Sequence, residues 1–404
     1  MTPAPQPAAK SLPLPEFVAL LALLMSMVAF SIDAMLPSLP DIAAALSPEN
    51  VNRAQLVLTS FMLGMGLGTF FVGPISDAAG RKPTLAGGLA IYLVGAAAAI
   101  WANSLELLLL ARFVQGLGAS TGRIVPMALI RDLHAGPNMA KITSIIMMFF
   151  MLVPAIAPTL GGFIAHHFGW RGVFGAFLIF GVICFGWMMI RQPETLPRER
   201  RRRLVPSQLI AGAAEVLGNR DVRIYTLVLT LGFGQMFTIL STAQQLYAAY
   251  GVTDTFPYWL GAGAILASSA SFINARFVIR LGMMRLARGG YLMQVVLSAL
   301  MLVLVLAGVA IGPQALPILF LWVVSVFFIA GITFGNINAM AMQGMGHLAG
   351  MTASVLTAFS TVGAVLIGGP IGQMFTGSPL PLVVTTLICS AIAWVMLGRT
   401  KPAE

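Results

Sequence analysis

Hydrophobic positions in this chain come in long unbroken runs, not in the stripe of a water-soluble helix or the alternation of a half-buried strand. A hydrocarbon core about 30 Å thick takes about 20 apolar residues per helix. Twelve runs of roughly that length fall at 17–39, 56–73, 84–102, 105–127, 142–166, 173–190, 224–249, 257–279, 287–311, 315–340, 351–375 and 381–398. The pattern predicts an all-α membrane protein with 12 transmembrane helices. No cleavage site follows a short apolar core in the first run, so it is expected to stay as the first crossing. The one long polar stretch, residues 191–223, divides the runs six and six. It predicts an N-terminal six-helix half over 1–190, a basic linker over 191–223 and a C-terminal six-helix half over 224–404. Such a charge run reads as a solvated connector.

Composition agrees with this pattern. Hydrophobic residues make up 58% of the 404 and charged ones 9%, against about 25% charged in a soluble domain. The net charge of +10 would suggest nucleic acid, but its placement does not. Lys10, Arg81, Lys82, Arg131, Lys141, the cluster at 191–203, Arg220, Arg223, Arg280, Arg285, Arg288, Arg399 and Lys401 fall in the tails and alternate connections, whereas the other connections hold only Arg53 and Arg171. By the positive-inside rule both termini are cytoplasmic. Cys184 and Cys389 lie inside the sixth and twelfth runs and read as small buried hydrophobes. No Walker-type phosphate loop is present, which disfavours an ATP-driven pump.

Weak repetition links the halves. "GPISDAAGRKPTL" after the second run is echoed by "NARFVIRLGMMRL" after the eighth, with Gly80 and Gly282 in matching places. Gly161-Gly162 of the fifth run align with Gly368-Gly369 of the eleventh.

Two charges stand out within the runs. Asp33 is the only acid well inside a span, and Arg112 is the basic outlier of the fourth run. A charge at membrane depth costs about 2.5–3.5 kcal/mol on insertion scales, which makes it a functional candidate. At 1.5 Å per residue, Asp33 lies about 9 Å and Arg112 about 10 Å from the outer end. They share a depth. The pair reads either as a proton switch or as a static ion pair that fixes helix packing.

"GPISDAAGRKP", Gly73 to Pro83, resembles the loop signature of the major facilitator superfamily, and the likeness covers nearly the whole chain. "ARFVQGLGAS" resembles the superfamily's fourth-helix signature, and "VPAIAPTLGGFI" its exporter-associated fifth-helix signature, with Ala157 before Pro158 in place of glycine. "SIDAMLPSLPDIAAAL", "RIVPMALIRDLH", "PETL" and "GNINAMAMQGMGHLAGMTASVL" resemble drug:proton antiporters of the bicyclomycin and chloramphenicol resistance type (Bcr/CflA). The resemblance implies two rocking halves around a midplane site, with a latch built from Gly73, Asp77, Gly80, Arg81 and Lys82, in which Arg81 pairs with Asp132. It also implies a kinkable, closely packing fifth helix through Pro154, Pro158, Gly161 and Gly162.

Around Asp33, the expected substrate cavity takes Met25, Phe30, Gln115, Met148, Met151, Gln235, Gln244, Asn336 and Asn338. Flexible thioethers suit an adaptable apolar pocket. The intramembrane amides either orient a substrate or bridge helices. His166-His167 point apart on a helix and His347 falls in a loop, so no metal site and no cofactor is expected. The expectation is therefore a monomeric exporter of small, mainly apolar toxic compounds in exchange for protons, in the bacterial inner membrane, with no enzymatic activity and no nucleic-acid partner. Alternatives are a transporter dedicated to one metabolite, or a non-transporting receptor or scaffold.

Overall fold

The computed structural model describes residues 12–134, 136–201, 204–343, 345 and 348–400. Lys10, Arg202, Arg203, His347 and Lys401 lie outside them, as does the side chain of Met151. Backbone groups in lipid must find partners within their own segment, and every long element among the described residues is a helix. These are α1 (Leu14–Asp33), α2 (Leu39–Leu46), α3 (Leu56–Ala79), α4 (Arg81–Ile100), α5 (Leu105–Leu133), α6 (Gly136–Arg191) and α7 (Pro206–Gly218). They continue as α8 (Arg220–Ala249), α9 (Phe256–Leu281), α10 (Met283–Leu306), α11 (Leu316–Gln343), α12 (Ala349–Gln373) and α13 (Leu380–Leu397).

Among the described residues ten stretches qualify as spans by length and hydropathy. One of these, α6, turns at Gly169 (φ 68°) and makes two crossings. The twelfth crossing is α5, whose hydropathy is lowered by Arg112 and Arg123. The fold is the expected 12-helix arrangement in two halves.

Two segments depart from expectation. The first crossing helix ends at Asp33, not near residue 39, and a 3-10 turn (Leu36–Ser38) and α2 follow. Pro37 and Pro40 lack the N–H groups a continuous helix needs, and proline disfavours helical backbone just before it. The stretch after α6 is also more than a solvated connector. It contains α7, which buries Val216 against the second half and packs on α8 and α12.

Within the first half α3, α4 and α5 pack against one another, and α1 packs on α6; within the second, α8 packs on α12 and α10 on α11 and α13. The most extensive packing between the halves joins α3 to α12 and α6 to α9. The paired glycines lie along these contacts. A Cβ on Gly161 would meet the Ala34 carbonyl just beyond α1, and one on Gly368 would meet Phe237 and Thr238 of α8, the corresponding helix of its own half. A Cβ on Gly162 would lie 3.3 Å from Pro257 of α9, and one on Gly369 3.5 Å from Thr59 of α3, each in the other half. The first glycine of each pair packs its own half, and the second packs the interface.

Candidate functional site

A cavity of about 980 Å³ opens between the halves at the end that carries Gly80, Gly282 and residues 191–219, here termed the basic end. Residues of α1, α3, α5 and α6 line one wall and residues of α11 and α12 the other. Met25, Met127, Met139, Met147, Met342 and Met351 supply much of its surface. Met25, 11 residues into α1, and Arg123, 10 residues from the end of α5, both reach about 15 Å in from the basic end.

The opposite end is closed by hydrogen bonds between halves. Asn52 Nδ2 donates to the carbonyls of Gln373 (3.1 Å) and Phe375 (2.8 Å), and Gln373 Nε2 donates to the Asn52 carbonyl (2.8 Å). Gln55 Nε2 donates to Gln245 Oε1 (2.7 Å), whose own amide donates to the Val51 carbonyl (3.3 Å). Gly261 of α9 adds close backbone packing, 2.7 Å from its Cβ position to the Ala155 carbonyl of α6.

At the rim of the cavity Gly80 (φ 108°) turns α3 directly into α4. This leaves the first N–H groups of α4 without a side-chain cap from Gly80 itself. Glu194 supplies the cap, its Oε1 accepting from the Arg81 amide (3.0 Å) and its Oε2 from the Lys82 amide (3.2 Å). An anion is favoured at that helix end. The Arg81 side chain, 5% exposed, donates from Nε to Asp132 Oδ2 (2.8 Å) and from Nη1 to Asp77 Oδ1 (2.6 Å) and Ser76 Oγ (2.9 Å). These bonds all stay within the first half and the segment that carries Glu194. Asp77 also lines the cavity, facing Gly350, Ala353 and Ser354 near the start of α12.

Asp33 and Arg112 are not bonded to each other among the described residues. Arg112, fully buried, donates from Nη2 to the Ser31 carbonyl (2.9 Å), from Nη1 to Gln115 Oε1 (2.7 Å) and from Nε to the Val57 carbonyl (3.3 Å). Its guanidinium lies 4.2 Å from the Phe61 ring centroid. Arg112 thus ties α1, α3 and α5 together. Asp33, at the last residue of α1, is 7% exposed, and among the described residues no hydrogen bond or ion pair reaches its carboxyl.

The other expected cavity residues scatter. Met25 lines the cavity, but Met148 points away from it, 62% exposed, and Met147 takes the cavity position. Neighbours on a helix differ by 100° in direction, so the error is one of phase. Phe30 lies on another face of α1, in an apolar groove between α1 and α6, edge-on to Phe177 and Phe180. Gln115 accepts from Arg112 through its Oε1 and packs against Gly95. Gln235 accepts from Ser390 Oγ (2.7 Å), and Asn336 donates to Asn274 Oδ1 (2.7 Å); both bridge helices of the second half. Asn338 donates to the Phe334 carbonyl of its own helix (2.9 Å). Gln244 is half-buried near the closed end. Pro154 and Pro158 lie inside α6 without breaking it. His167 Nδ1 pairs with the Phe163 carbonyl (2.9 Å), and the described residues hold no His/Cys/Asp/Glu group arranged for a metal.

Four features were not anticipated. Arg123 faces the cavity and was legible as a second arginine inside the fourth run. Glu194 lies in the quoted "PETL" segment, but nothing local pointed to its cap. The sealing residues Asn52 and Gln373, 321 positions apart, carried no local signal. Gln245 sits beside the expected Gln244.

A model of the Major Facilitator Superfamily matches residues 20–368. A bicyclomycin resistance protein homolog of Haemophilus influenzae is 28% identical over 93% of this chain and 94% of its own. A chloramphenicol resistance protein of Pseudomonas aeruginosa is 29% identical over 91% of this chain and 85% of its own. The xylose transporter XylE of E. coli, in a partially occluded inward-open conformation, superimposes with a TM-score of 0.75 at 12% identity, covering 96% of this chain and 98% of that one.

Proposed function

The chain belongs to the major facilitator superfamily, and from that premise we propose that it exports small, mainly apolar toxic compounds across the bacterial inner membrane in exchange for protons. It is a membrane transporter, not an enzyme. The observation that carries the proposal is one-ended access, with a cavity of about 980 Å³ open at the basic end while cross-half hydrogen bonds close the other. Positive charge marks the cytoplasmic side, so the cavity faces the cytoplasm and both termini lie there. Relatives named for bicyclomycin and chloramphenicol resistance support a drug-like cargo. The Met-rich lining suits varied apolar shapes.

Residues 1–190 and 224–404 act as the two rocking halves, joined by 191–223, in a monomer. Asp33 carries the proton. A buried carboxyl without a counter-charge is costly when ionised, so its protonation is sensitive to any change in hydration as the halves rock. Arg112 holds the same end of α1 through the Ser31 carbonyl and acts on Asp33 by position, not by direct pairing. Asp33 takes a proton when the halves rock and the end opposite the cavity opens, and releases it to the cytoplasm as the cycle resets. One proton moving down 100 mV supplies about 2.3 kcal/mol, a concentration ratio of roughly fifty for a neutral compound. When the basic end closes, Asp77 and the Arg81 cluster meet the start of α12 and latch it.

In proteoliposomes with an imposed pH gradient, Asp33→Asn is expected to abolish proton-coupled efflux while the protein remains folded and inserted. Normal gradient-dependent efflux from that variant would defeat the assignment.

A further inference from the structure

The cavity's charge is one-sided. Of the ionised groups on its wall, Asp77 and Arg81 are bonded to each other. Arg123, Arg131 and Arg200 also line it, and among the described residues no hydrogen bond or ion pair reaches any of their three guanidinium groups. Arg131 and Arg200 are exposed at the mouth, where water solvates them. Arg123 is different. It is half-buried, nearly three helical turns up α5 from the basic end, on a wall it shares with the apolar side chains of Ile124 and Met127. The wall is tight there, since the adjacent Gly122 leaves only 2.9 Å between its Cβ position and the Leu24 carbonyl of α1. The contrast with Arg112 on the same helix is direct, since Arg112 has three hydrogen-bond acceptors and a ring beneath it.

An unpaired guanidinium at that depth, with cavity space in front of it, is a receptor for an anion. Its planar fork matches a carboxylate in two parallel hydrogen bonds. The surrounding methionines accept an apolar body, and Arg131 and Arg200 at the mouth attract negative charge toward the interior. We propose that the cavity takes amphipathic organic monoanions, with an apolar or aromatic body and one carboxylate-like group, and that Arg123 receives the anionic group. This rests on the cavity being the transport site, and it narrows the substrate class from small apolar compounds at large to those that carry one acidic group.

The test uses full-length protein in detergent, titrated calorimetrically with 1-naphthaleneacetate and with 1-naphthaleneacetamide, a neutral compound of nearly the same shape. The carboxylate is expected to bind about tenfold more tightly, a difference of about 1.4 kcal/mol. R123Q is expected to bring the two affinities within about twofold, and R123K, a point charge without the fork, to retain about threefold. Equal affinities in the unmodified protein overturn the anionic class. A tenfold preference surviving in R123Q overturns the role of Arg123, and should R123Q not fold, an undiminished preference in R123K does the same. Phosphatidylglycerol added to the micelles is expected to leave the carboxylate affinity unchanged; displacement of the carboxylate would assign these arginines to a lipid headgroup instead. Binding in detergent needs no proton gradient. Loss of the anion preference with intact proton-coupled efflux therefore sinks only this inference, and the reverse result sinks only the export reading.

Discussion

Two glycine turns, at Gly80 and Gly282, occupy equivalent places in the two halves and have the same backbone. Gly80 has φ 108° and ψ 163°, Gly282 φ 82° and ψ 153°, and each joins two membrane helices without an intervening loop. Each also donates its N–H to the carbonyl four residues earlier, Ser76 in one case and Val278 in the other. Their surroundings differ completely. A Cβ on Gly80 would strike the Glu194 carboxylate, whereas one on Gly282 would meet nothing within 4 Å. Arg81 is enclosed by Asp77, Asp132 and Ser76, and Met283 at the matching place packs among apolar side chains. The turn is therefore a folding device common to both halves. The charge cluster is an addition to one of them, the asymmetry that the latch proposed above needs.

The contrast is broken most severely by Arg81→Met. That change strands two acids, and removing one partner of a buried ion pair costs about 3–5 kcal/mol. Because Asp77 keeps some water, with 42% of its side chain exposed, the expected loss is about 3 kcal/mol. It is read as a lowered melting temperature in detergent together with loss of efflux. Next comes Gly80→Ala, expected to cost about 2 kcal/mol, roughly half from the left-handed backbone and half from displacing the Glu194 cap. Gly282→Ala carries only the backbone part, about 1 kcal/mol. Equal losses at the two glycines would show that Glu194 does not crowd Gly80. Glu194→Ala alone is expected to cost about 1 kcal/mol as a lost cap, and in its presence the penalty of Gly80→Ala should fall to that of Gly282→Ala, a coupling that a double-mutant cycle of melting curves measures. The smallest effect is expected at Met283→Ala, below about 1.5 kcal/mol at a half-buried site, with efflux retained.

The same contrast shows how far the chain could be read unaided. The turn echo was legible because a positive-φ position next to a helix selects glycine whatever surrounds it. The pairing of Arg81 with Asp132, which the family resemblance implied, is formed. Its partner Glu194 was not foreseen, because a cap supplied from 113 residues away leaves no local pattern. The intramembrane charges followed the same rule. Counting residues suggested that Asp33 and Arg112 lie close together, and the Arg112 guanidinium does reach the Ser31 carbonyl two residues before Asp33. Facing did not come from counting, and Arg112 turns to Ser31, Gln115 and Val57 while the carboxyl two residues beyond Ser31 stays unpaired.

By itself the sequence determined the number of crossings, the charge asymmetry that orients them, the glycines where helices reverse or touch, and the presence of charges at depth. These follow from one-dimensional constraints, since lipid demands helices of a set length and a polar group in such a run stands out wherever it points. Only the tertiary structure decided which guanidinium is saturated and which faces open space, which methionine of the 147–148 pair lines the cavity, and which end is shut. Those outcomes depend on the rotation of each helix about its axis and on contacts such as Asn52 with Gln373, 321 residues apart, and a shift of one residue rotates a side chain by 100° without altering the hydrophobic run that contains it.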